Sequence, residues 1–506
     1  MNKIKQRAEY GDWQTPINLA KEVCAVLASR GFKPASVIEP TFGKGSFLMA
    51  ALETFPTLTH AVGVEVDKCH VRTAKEILSK IKTSCQIELI EADFFQVDWL
   101  KITKSLPEPI LIIGNPPWVT NAELTSLGST NLPCKSNFQN HRGIDAITGK
   151  SNFDISEWML LQALTWTASR QTMLAMLCKT GVARKLLLKT WQNKRSIKTS
   201  SIYRIDASSH FGVSVDACLI VIPSATHSQN TNCRVYDSLN QKKPSSLIGY
   251  KENQIISNIR IFNRHKHLMS SGNGEYNWRS GIKHDCSKVM ELKEEEKGFY
   301  RNGLGEIAEL ETDFLYPMLK SSDIAKGPPF DFSKRMLVTQ QHVGENTGCI
   351  RYIAPKTWRY LNEYSALLDK RASSIYHNRA RFSIFGVGDY SFASWKVAIS
   401  GFYKFLNFTP IGPFRGKPIV LDDTCYFISC DNEGQANCLG ELLNSKVAKE
   451  FLSSLIFWDA KRPITMDLLR CLDITALAQE LKLDAKLYEY HSAAHAPLQP
   501  VLFECF

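Results

Sequence analysis

The chain has 506 residues, of which 44% are hydrophobic and 22% charged, values typical of a soluble globular protein with two or three domains. Its 14 cysteines are scattered without a Cys-x-x-Cys pair or zinc-ligand spacing, which argues against structural zinc and a secreted disulfide scaffold. The longest apolar runs are too short to cross a bilayer, and the N-terminus lacks an apolar signal segment, so we expect a cytoplasmic protein. Basic residues exceed acidic residues by 61 to 50, a balance compatible with a polyanionic partner.

Short apolar runs alternate with helical stretches from residue 36 onwards, a pattern that predicts parallel βαβ units. The predicted strands cover residues 36–39, 60–65, 86–91, 110–113, 172–177 and 217–222, with a helix at 155–169. These elements predict an open α/β sheet in a first domain of residues 1–226. The polar stretch 227–232 is typical of a linker, and the irregular remainder predicts a second, α+β domain of residues 227–506.

The first predicted strand runs into the segment Glu39-Pro40-Thr-Phe-Gly43-Lys44-Gly45. In an open parallel sheet, ligands bind beyond the carboxyl ends of the strands, so this segment is a candidate ligand loop. Its two glycines let the backbone turn tightly and approach a ligand before the next helix begins. The segment lacks the third glycine of a dinucleotide fingerprint and the Gly-Lys-Ser/Thr end of a phosphate loop, so alone it is more often an ordinary turn.

The second and third predicted strands also end in carboxylates. Glu65 ends the second strand, where it could accept hydrogen bonds from ribose hydroxyls. Asp67 could cap the next helix, and both interpretations can hold because the two residues differ. Asp93 and Phe94 follow the third strand and offer an acceptor for an exocyclic amine beside an aromatic ring. A helix cap followed by core phenylalanines is the alternative there. Three consecutive strands that end in acid at nearly equal spacing favour a ligand site.

The fourth predicted strand ends in Gly-Asn115-Pro116-Pro117-Trp118. Two prolines fix the backbone, so the Asn115 side chain and the Pro116 carbonyl can point together into the cleft as two acceptors. Trp118 then supplies a flat apolar wall. This combination suits a planar group that carries an NH2, because both hydrogens meet acceptors while the ring stacks on the indole.

The Asn-Pro-Pro-aromatic motif, together with the Glu-Pro-x-x-Gly-x-Gly, Gly-Val-Glu-Val-Asp and Ala-Asp-Phe segments, resembles the S-adenosylmethionine-dependent amino-methyltransferases of DNA. The motif order resembles the gamma group, which includes N6-adenine methyltransferases of type II restriction–modification systems. The resemblance covers residues 8–225 and includes Thr15-Pro16, Asp154-Ile155, Lys179 and the segment around Phe211. It implies the methyltransferase fold, a Rossmann-like and mostly parallel seven-stranded sheet, followed by a target-recognition domain.

The resemblance also implies a role for each motif residue. Asn115 and Pro116 would hold the target amine, Pro117 belongs to the same catalytic motif, and Trp118 and Phe211 would stack against the flipped base. The chain departs from the pattern at Trp118, where Tyr or Phe is more usual, and at Lys44 between the loop glycines. No metal is required. The implied S-adenosylmethionine-binding residues are Thr15, Glu39, Pro40, Gly43, Gly45, Glu65, Val66, Asp93 and Phe94.

The partner implied is double-stranded DNA, from which the target adenine must be flipped, and a cognate restriction endonuclease is a possible second partner. Such an enzyme would be bacterial or archaeal and associated with the nucleoid. Residues 170–204 hold nine basic and no acidic side chains, which favours either a positive face or a solvated helix. Basic and aromatic residues also mix in the C-terminal half, in segments expected to contact DNA. These segments are 351–381, 379–390, 395–396, 403–404, 415–417, 443–446 and 461–463.

Several other functions remain open on the sequence alone. The target could be N4 of cytosine, adenine in RNA, or a protein glutamine amide, although the glutamine enzymes are much shorter. Asp285, Glu291 and Lys293 are residues of the types found in the metal-binding core of a nuclease, which would suggest a fused nuclease. The stretch that contains them, however, is one that we predict to be a charged helix. A non-catalytic DNA-binding protein that kept the fold is the last alternative, and measurable methyl transfer would eliminate it.

Overall fold

The computed structural model describes residues 13–119, 154–166, 170–272 and 276–483. The chain forms two compact units, Met1–Ile259 and Arg260–Phe506. The predicted boundary at residue 226 therefore lies inside the first unit. The polar stretch 227–232 is a short loop that leads into further strands of the same sheet, the first of which pairs with an existing strand in parallel. No helix in the described ranges is long and apolar enough to cross a membrane.

The first unit consists of one large sheet with helices on its connections. Its strands are β1 (Ser36–Glu39), β2 (His60–Glu65), β3 (Gln86–Glu91), β4 (Ile110–Gly114), β5 (Thr172–Lys179), β6 (Ser200–Asp206), β7 (Asp216–Pro223), β8 (Cys233–Tyr236), β9 (Ser246–Lys251) and β10 (Gln254–Ile256). Its helices are α1 (Ile17–Ser29), α2 (Ser46–Thr54), α3 (Lys68–Leu78), α4 (Trp99–Ser105), α5 (Ile155–Trp166), α6 (Thr180–Gln192) and α7 (Ala207–Phe211).

The strand order in the sheet is β10-β9-β8-β6-β7-β5-β4-β1-β2-β3. Strands β1 to β5 are parallel to one another, and β7 runs antiparallel between β5 and β6. The predicted α/β fold is thus confirmed, with the seven-stranded core present and three further strands added beyond β6. The six predicted strands are all observed, whereas β6 and β8 to β10 were not predicted.

Burial explains why these segments form the sheet. Strands β1 and β4 are buried along their whole length, as expected for central parallel strands covered by helices on both faces. Asp67, Asp98 and Asp206 accept hydrogen bonds from backbone N–H groups at the starts of α3, α4 and α7. The cap predicted for Asp67 is therefore observed. The caps of Asp67 and Asp206 start α3 and α7 almost directly after β2 and β6, so these two loops are short, whereas a longer segment separates β3 from α4.

The second unit contains two further sheets. The strands of the second unit are β11 (Arg279–Ser280), β12 (Glu291–Glu296), β13 (Phe299–Asn302), β14 (Ile307–Glu309), β15 (Leu315–Leu319), β16 (Lys334–Leu337), β17 (Trp395–Ser400), β18 (Thr409–Ile411), β19 (Val420–Leu421) and β20 (Cys425–Cys430). One sheet has four strands in the order β11-β20-β17-β18, and the other has six in the order β14-β13-β12-β16-β15-β19.

The helices that follow the first sheet are α8 (Ile259–Arg264), α9 (Ser287–Met290), α10 (Ser321–Lys326), α11 (Ile350–Ile353), α12 (Pro355–Glu363), α13 (Ser365–Asp369), α14 (Glu433–Asn444), α15 (Lys446–Leu455), α16 (Met466–Leu469) and α17 (Ile474–Glu480). Helices of the second unit pack against its sheets, as α14 does on β17. The predicted α+β character of this region agrees with the structure.

One prediction in the second unit is wrong. The charged stretch after Cys286 is not a helix beyond Met290, because residues 291–296 form strand β12 between β13 and β16. Glu291, offered by the nuclease alternative, forms ion pairs with Lys320 and His284. Among the residues that the structure describes, no group of three His, Cys, Asp or Glu side chains is arranged to hold a metal ion.

Candidate active site at the carboxyl edge of the sheet

The glycine loop after β1 has the backbone that its sequence predicts. Gly43 has φ +52° and Gly45 has φ +81°, and α2 begins directly after Gly45. A Cβ atom on Gly43 would stand 2.6 Å from Oε1 of Gln14, so a larger residue here would require the end of the Gln14 side chain to move. The Gln14 Oε1 atom accepts a hydrogen bond from the Lys44 N–H at 2.9 Å. The segment before α1 is therefore hydrogen-bonded to the glycine loop through Gln14.

The same segment also reaches the motif after β4. The Thr15 carbonyl accepts a hydrogen bond from Ser46 Oγ at 2.8 Å, and the Trp13 carbonyl accepts one from Asn115 Nδ2 at 3.0 Å. Residues 13–15 thus bridge the glycine loop and the Asn-Pro-Pro-Trp segment. The sequence placed Thr15 near the loop but did not indicate the link from Trp13 to Asn115.

Glu39 is a buried carboxyl at the end of β1. Its Oε2 atom accepts a hydrogen bond from the Leu48 N–H at 3.0 Å, near the start of α2. Burial raises the pKa of Glu39 well above its ordinary value, and the nearby Glu65 charge raises it further, while the Leu48 N–H acts in the opposite direction. A cationic ligand at this position would favour the ionised carboxylate.

Glu65 is held at the end of β2 by backbone groups. Its Oε2 atom accepts from the Gly43 N–H at 2.8 Å, and Oε1 accepts from the Val66 and Asp67 N–H groups at 3.0 and 2.9 Å. A carboxylate has about four acceptor positions, so about one remains for a hydroxyl. Val66, beside it, is 48% exposed, which leaves an apolar surface next to the carboxylate.

Asp93 and Phe94 follow β3, as predicted, but they differ in environment. Asp93 Oδ1 accepts from the Phe95 N–H at 2.9 Å, which shapes the turn. Phe94 is buried within an aromatic cluster, and its ring centroid lies 5.2 Å from that of Trp99 and 5.4 Å from that of Trp166. Phe94 therefore belongs to the core, as the alternative reading of this segment expected.

Asn115 provides the most informative contact of the site. Its Nδ2 atom donates to the Trp13 carbonyl, so the amide orientation is fixed. Its Oδ1 atom is buried and has no hydrogen-bond donor among the described residues. Buried polar atoms are normally paired, and leaving one unpaired costs about 1–3 kcal/mol. An unpaired acceptor at the carboxyl end of β4 is the feature expected of a group that binds an incoming donor. Pro116 is buried and Pro117 is half-buried beside it.

Trp118 and Phe211, the two aromatic residues predicted for the target base, lie against each other. Their ring centroids are 5.3 Å apart in an edge-to-face arrangement, and the residues are 6% and 9% exposed. The indole N–H points to the Leu177 carbonyl at 3.4 Å. The structure therefore brings this pair together, but their rings pack on each other, so a base could stack on Trp118 only after its face became more accessible.

A partly buried ion pair fixes the backbone of Trp118. Lys179, at the end of β5, donates to the Trp118 carbonyl at 3.0 Å and to Asp154 Oδ2 at 2.8 Å. Asp154 lies just before α5, and Ile155 donates its backbone N–H to the Val119 carbonyl at 3.0 Å. The resemblance included Asp154 and Lys179 without a role. Their contacts identify them as positioning residues for the Asn-Pro-Pro-Trp segment.

Several basic side chains of the stretch 170–204 have structural partners. Arg170 and Lys185 form ion pairs with Glu108 and Glu157, respectively, and Lys179 with Asp154. Arg195 donates to the Leu164 carbonyl and to the Thr165 hydroxyl. Four of the nine basic side chains therefore serve the packing of the first unit, so the excess of positive charge in this stretch overstates its free positive surface.

The predicted contact segments of the second unit also separate into structural and exposed residues. Lys396 is 1% exposed and donates to the Ala393 carbonyl, so it is not a surface contact. Asn444 holds both backbone polar groups of Phe408, and Ser445 caps α15. Tyr403, Lys404, Arg415 and Lys461, by contrast, are exposed. These four are among the residues of the predicted contact segments that are available to a partner, as are Arg351, Tyr352 and Lys446.

The fold and this edge of the sheet define the class of the protein. The sheet, with β7 antiparallel between β5 and β6, is that of the S-adenosylmethionine-dependent methyltransferases, which agrees with the predicted cofactor. The type IIL restriction–modification enzyme MmeI, solved in complex with DNA, aligns with a TM-score of 0.50 at 12% identity over 97% of this chain and 76% of MmeI. A type I restriction–modification methyltransferase subunit from Streptococcus thermophilus aligns with a TM-score of 0.32 at 18% identity, over 51% of this chain and 53% of that subunit.

Sequence similarity gives the family. No family model matches the chain. The type II methyltransferase M.NspV from Nostoc sp. (strain ATCC 29411 / PCC 7524) is 45% identical over 478 residues, which cover 94% of this chain and 99% of the relative. The chain therefore belongs to the type II methyltransferases.

Proposed function

We propose that the protein transfers the methyl group of S-adenosylmethionine to N6 of an adenine flipped out of double-stranded DNA, as the modification enzyme of a restriction–modification system. The observation that carries this proposal is the buried, unpaired Oδ1 atom of Asn115 beside the Pro116 carbonyl. An exocyclic NH2 group presents two hydrogens, and this amide oxygen together with this backbone oxygen can accept both. MmeI, the solved enzyme of similar fold, was determined in complex with DNA, which supports DNA as the substrate.

The residues on the cofactor side fit S-adenosylmethionine. We assign the methionine part to Thr15, Glu39, Pro40 and the two loop glycines, because these residues meet at the carboxyl end of β1 and the start of α2. A buried carboxyl such as Glu39 complements a cationic ligand. Glu65 has an acceptor position left for a ribose hydroxyl, and the exposed Val66 can pack on a purine ring. Asp93 would accept the cofactor amine, with the Phe94 ring behind it in the core.

The reaction requires an activated amine. S-adenosylmethionine, when bound, supplies a methyl group made electrophilic by its cationic sulfur. The adenine amine is a weak nucleophile because its lone pair is delocalised into the ring. Hydrogen bonds to Asn115 Oδ1 and to the Pro116 carbonyl localise that lone pair and orient it, and orientation and preorganised dipoles supply much of the rate acceleration. No side chain needs to remove a proton before transfer, because the methylated nitrogen loses its extra proton to solvent afterwards.

Base flipping follows from the depth of this acceptor. An adenine inside a duplex cannot reach a buried amide, so it must leave the base stack at a cost of a few kcal/mol. Stacking on Trp118, with Phe211 against the ring edge, offsets part of that cost. The edge-to-face packing of these two rings means that the target must compete with Phe211 for contact with the indole.

Two substitutions at Asn115 test the acceptor. Asn115→Ala is expected to lower kcat for methyl transfer to DNA at least about 100-fold, the usual effect of removing one preorganised group. Its dissociation constant for S-adenosylmethionine should stay within about threefold, measured by calorimetry. Asn115→Asp is the matched variant, because it keeps an acceptor oxygen and loses the donation to Trp13, and it should retain more activity than Asn115→Ala. Full activity of Asn115→Ala would refute the assignment.

The modified base is tested separately. DNA from a host that expresses the chain would be digested to nucleosides and analysed by mass spectrometry for N6-methyladenine and N4-methylcytosine. We expect only N6-methyladenine, and sequencing with detection of modified bases would then locate the recognition site. Methyl transfer to RNA or to protein, but not to DNA, would contradict the proposal and favour the corresponding alternative.

A further inference from the structure

The second unit carries a loop between β17 and β18 whose tip is almost entirely aromatic. Four consecutive residues, Phe402, Tyr403, Lys404 and Phe405, are exposed, and the three aromatic side chains are 40%, 39% and 45% exposed. We call these four residues the aromatic tip. Single exposed apolar residues are common, but three neighbouring aromatic rings on one loop form a patch of the kind that marks a binding surface.

The loop behind the aromatic tip is well anchored. Ser400 Oγ accepts from the backbone N–H groups of Phe402 and Tyr403, both at 3.3 Å, and the Gly401 N–H donates to the Thr424 carbonyl at 2.9 Å. At the other end Phe408 is buried. The exposure of the rings is therefore a property of an ordered loop, and ordered rings lose little entropy on binding.

The surroundings of the aromatic tip carry positive charge. Lys404 lies between the rings in sequence, and Lys461 is also exposed. The Arg462 guanidinium lies over two rings, 5.1 Å from the centroid of Phe402 and 5.2 Å from that of Tyr426. Arg462 therefore contacts the Phe402 ring. The rings of Tyr403 and Phe405 pack edge to face, with their centroids 6.0 Å apart.

We propose that the aromatic tip contacts the DNA substrate, with the rings of Tyr403 and Phe405 placed against bases and Lys404 against a phosphate. This inference rests on the proposed function and extends it to the second unit. Exposed aromatic rings stack on bases of any sequence, and apolar side chains can enter between base pairs and unstack them. A lysine between the rings complements the phosphate backbone, which favours DNA over an apolar protein surface as the occupant.

Another cavity of the second unit is less suited to DNA. A cleft of about 920 Å³ is lined by three glutamates, Glu294, Glu295 and Glu296, and by four basic residues, Lys297, Arg335, Arg415 and Lys417. Its basic side chains are partly engaged within the protein, because Arg335 pairs with Glu294 and the Lys417 amine donates to the Thr312 carbonyl. The aromatic tip has no acidic side chain among its own four residues.

The test compares matched exposed aromatic residues in the full-length protein. Tyr403→Ala/Phe405→Ala removes the two free rings. Phe299→Ala on β13 is the control, because Phe299 is 44% exposed, close to the 45% of Phe405, and pairs across the sheet with Glu296 and Glu309. Binding would be measured by fluorescence anisotropy with labelled 40-base-pair duplexes of random sequence, and KM and kcat with unmethylated plasmid DNA. Thermal unfolding would check that each variant is folded.

Alanine substitutions in other proteins show that the loss of one stacking ring weakens binding by about 5- to 150-fold. We expect at least about tenfold weaker binding or higher KM for the double variant, with the S-adenosylmethionine dissociation constant unchanged. Phe299→Ala should stay within about twofold of wild type. Lys404→Ala should reduce the slope of log K against log salt by about one, whereas the ring variant should leave that slope unchanged.

The outcomes separate this inference from the proposed function. If wild type transfers no methyl group to DNA but the ring variant still weakens duplex binding, the proposed function fails and the inference stands. Duplex affinity and KM within twofold of wild type in a folded ring variant would overturn the inference. So would a ring variant whose only change is the loss of self-association in sedimentation velocity, because a second copy of the chain would then be the occupant.

Discussion

Gly43 offers the sharpest test of the cofactor loop. In the structure it has φ +52°, and a Cβ atom there would approach Gln14 Oε1 to 2.6 Å and Nε2 to 2.7 Å. Gly43→Ala therefore imposes two changes at once. The alanine must adopt a left-handed backbone conformation. The end of the Gln14 side chain must also move away from the Lys44 N–H, from which it accepts a hydrogen bond.

The expected cost follows from these two changes. A left-handed backbone costs a non-glycine residue about 1–2 kcal/mol, and one lost hydrogen bond costs about 1 kcal/mol. Because the loop must keep its conformation to bind, the sum of about 2–3 kcal/mol corresponds to S-adenosylmethionine binding weaker by about 30- to 150-fold. Isothermal titration calorimetry with S-adenosylmethionine measures this directly.

A double-mutant cycle separates the steric part from the backbone part. Gln14→Ala removes the hydrogen bond and the clash together, and alone it should weaken binding about fivefold. In the Gln14→Ala background, Gly43→Ala should cost only the backbone strain, so the two substitutions should couple by about 1 kcal/mol. Equal costs of Gly43→Ala in both backgrounds would refute the steric reasoning. Wild-type affinity in Gly43→Ala itself would show that the loop does not form the cofactor site.

Two further predictions concern buried charges. Burial lowers the pKa of Lys396 to about 7. Between pH 7 and the ordinary lysine pKa of about 10.4, the Lys396 amine is therefore protonated in the unfolded chain and neutral in the folded one. The free energy of unfolding should rise with pH in that window by at most about 1.4 kcal/mol per pH unit. Lys396→Met should remove this rise and stabilise the protein most below pH 7, as measured by urea unfolding at several pH values; an unchanged pH dependence would contradict it. Asp154→Asn weakens the ion pair with Lys179, which holds the Trp118 carbonyl, and should lower kcat about tenfold with cofactor affinity unchanged. Rescue of kcat in Asp154→Glu would support a positioning role, and wild-type kcat in Asp154→Asn would exclude it.

Most of the central sheet could be predicted from the sequence because its strands are short apolar runs that end in Gly, Asn or acidic residues. Strand β6 was missed because its sequence, SSIYRID, mixes polar and apolar residues without a clear run. Strands β8 to β10 were missed because a polar stretch before them is typical of a linker. Only the pairing of Cys233–Tyr236 with β6 shows that the sheet continues, and such pairing is not visible in local sequence.

Strand β12 shows why a local preference can fail. Its sequence, ELKEEE, is rich in residues with high helix propensity. In the structure, β12 pairs with β13 and β16, and Glu294 forms an ion pair with Arg335 of β16. Basic partners on neighbouring strands neutralise the glutamates, and tertiary pairing outweighs a propensity of a few tenths of a kcal/mol per residue.

The candidate site was predicted residue by residue, but its internal connections were not. The hydrogen bond from Asn115 to Trp13 joins residues 102 positions apart, and the one from Lys44 to Gln14 joins residues 30 positions apart. A sequence motif indicates which side chains carry the chemistry. It does not indicate which backbone atoms orient them, because those contacts depend on how distant segments meet.

The segment 13–15 connects the two halves of the candidate site. Gln14 and Thr15 form hydrogen bonds with Lys44 of the glycine loop and with Ser46 directly after it. The Trp13 carbonyl orients the Asn115 amide. The donation from Nδ2 leaves Oδ1 as the free acceptor, so a shift of this segment would alter which atom faces an incoming amine. Gly43→Ala, which displaces Gln14, should therefore reduce kcat at saturating S-adenosylmethionine as well as affinity. A variant that lost affinity alone would show that the two halves of the site act independently.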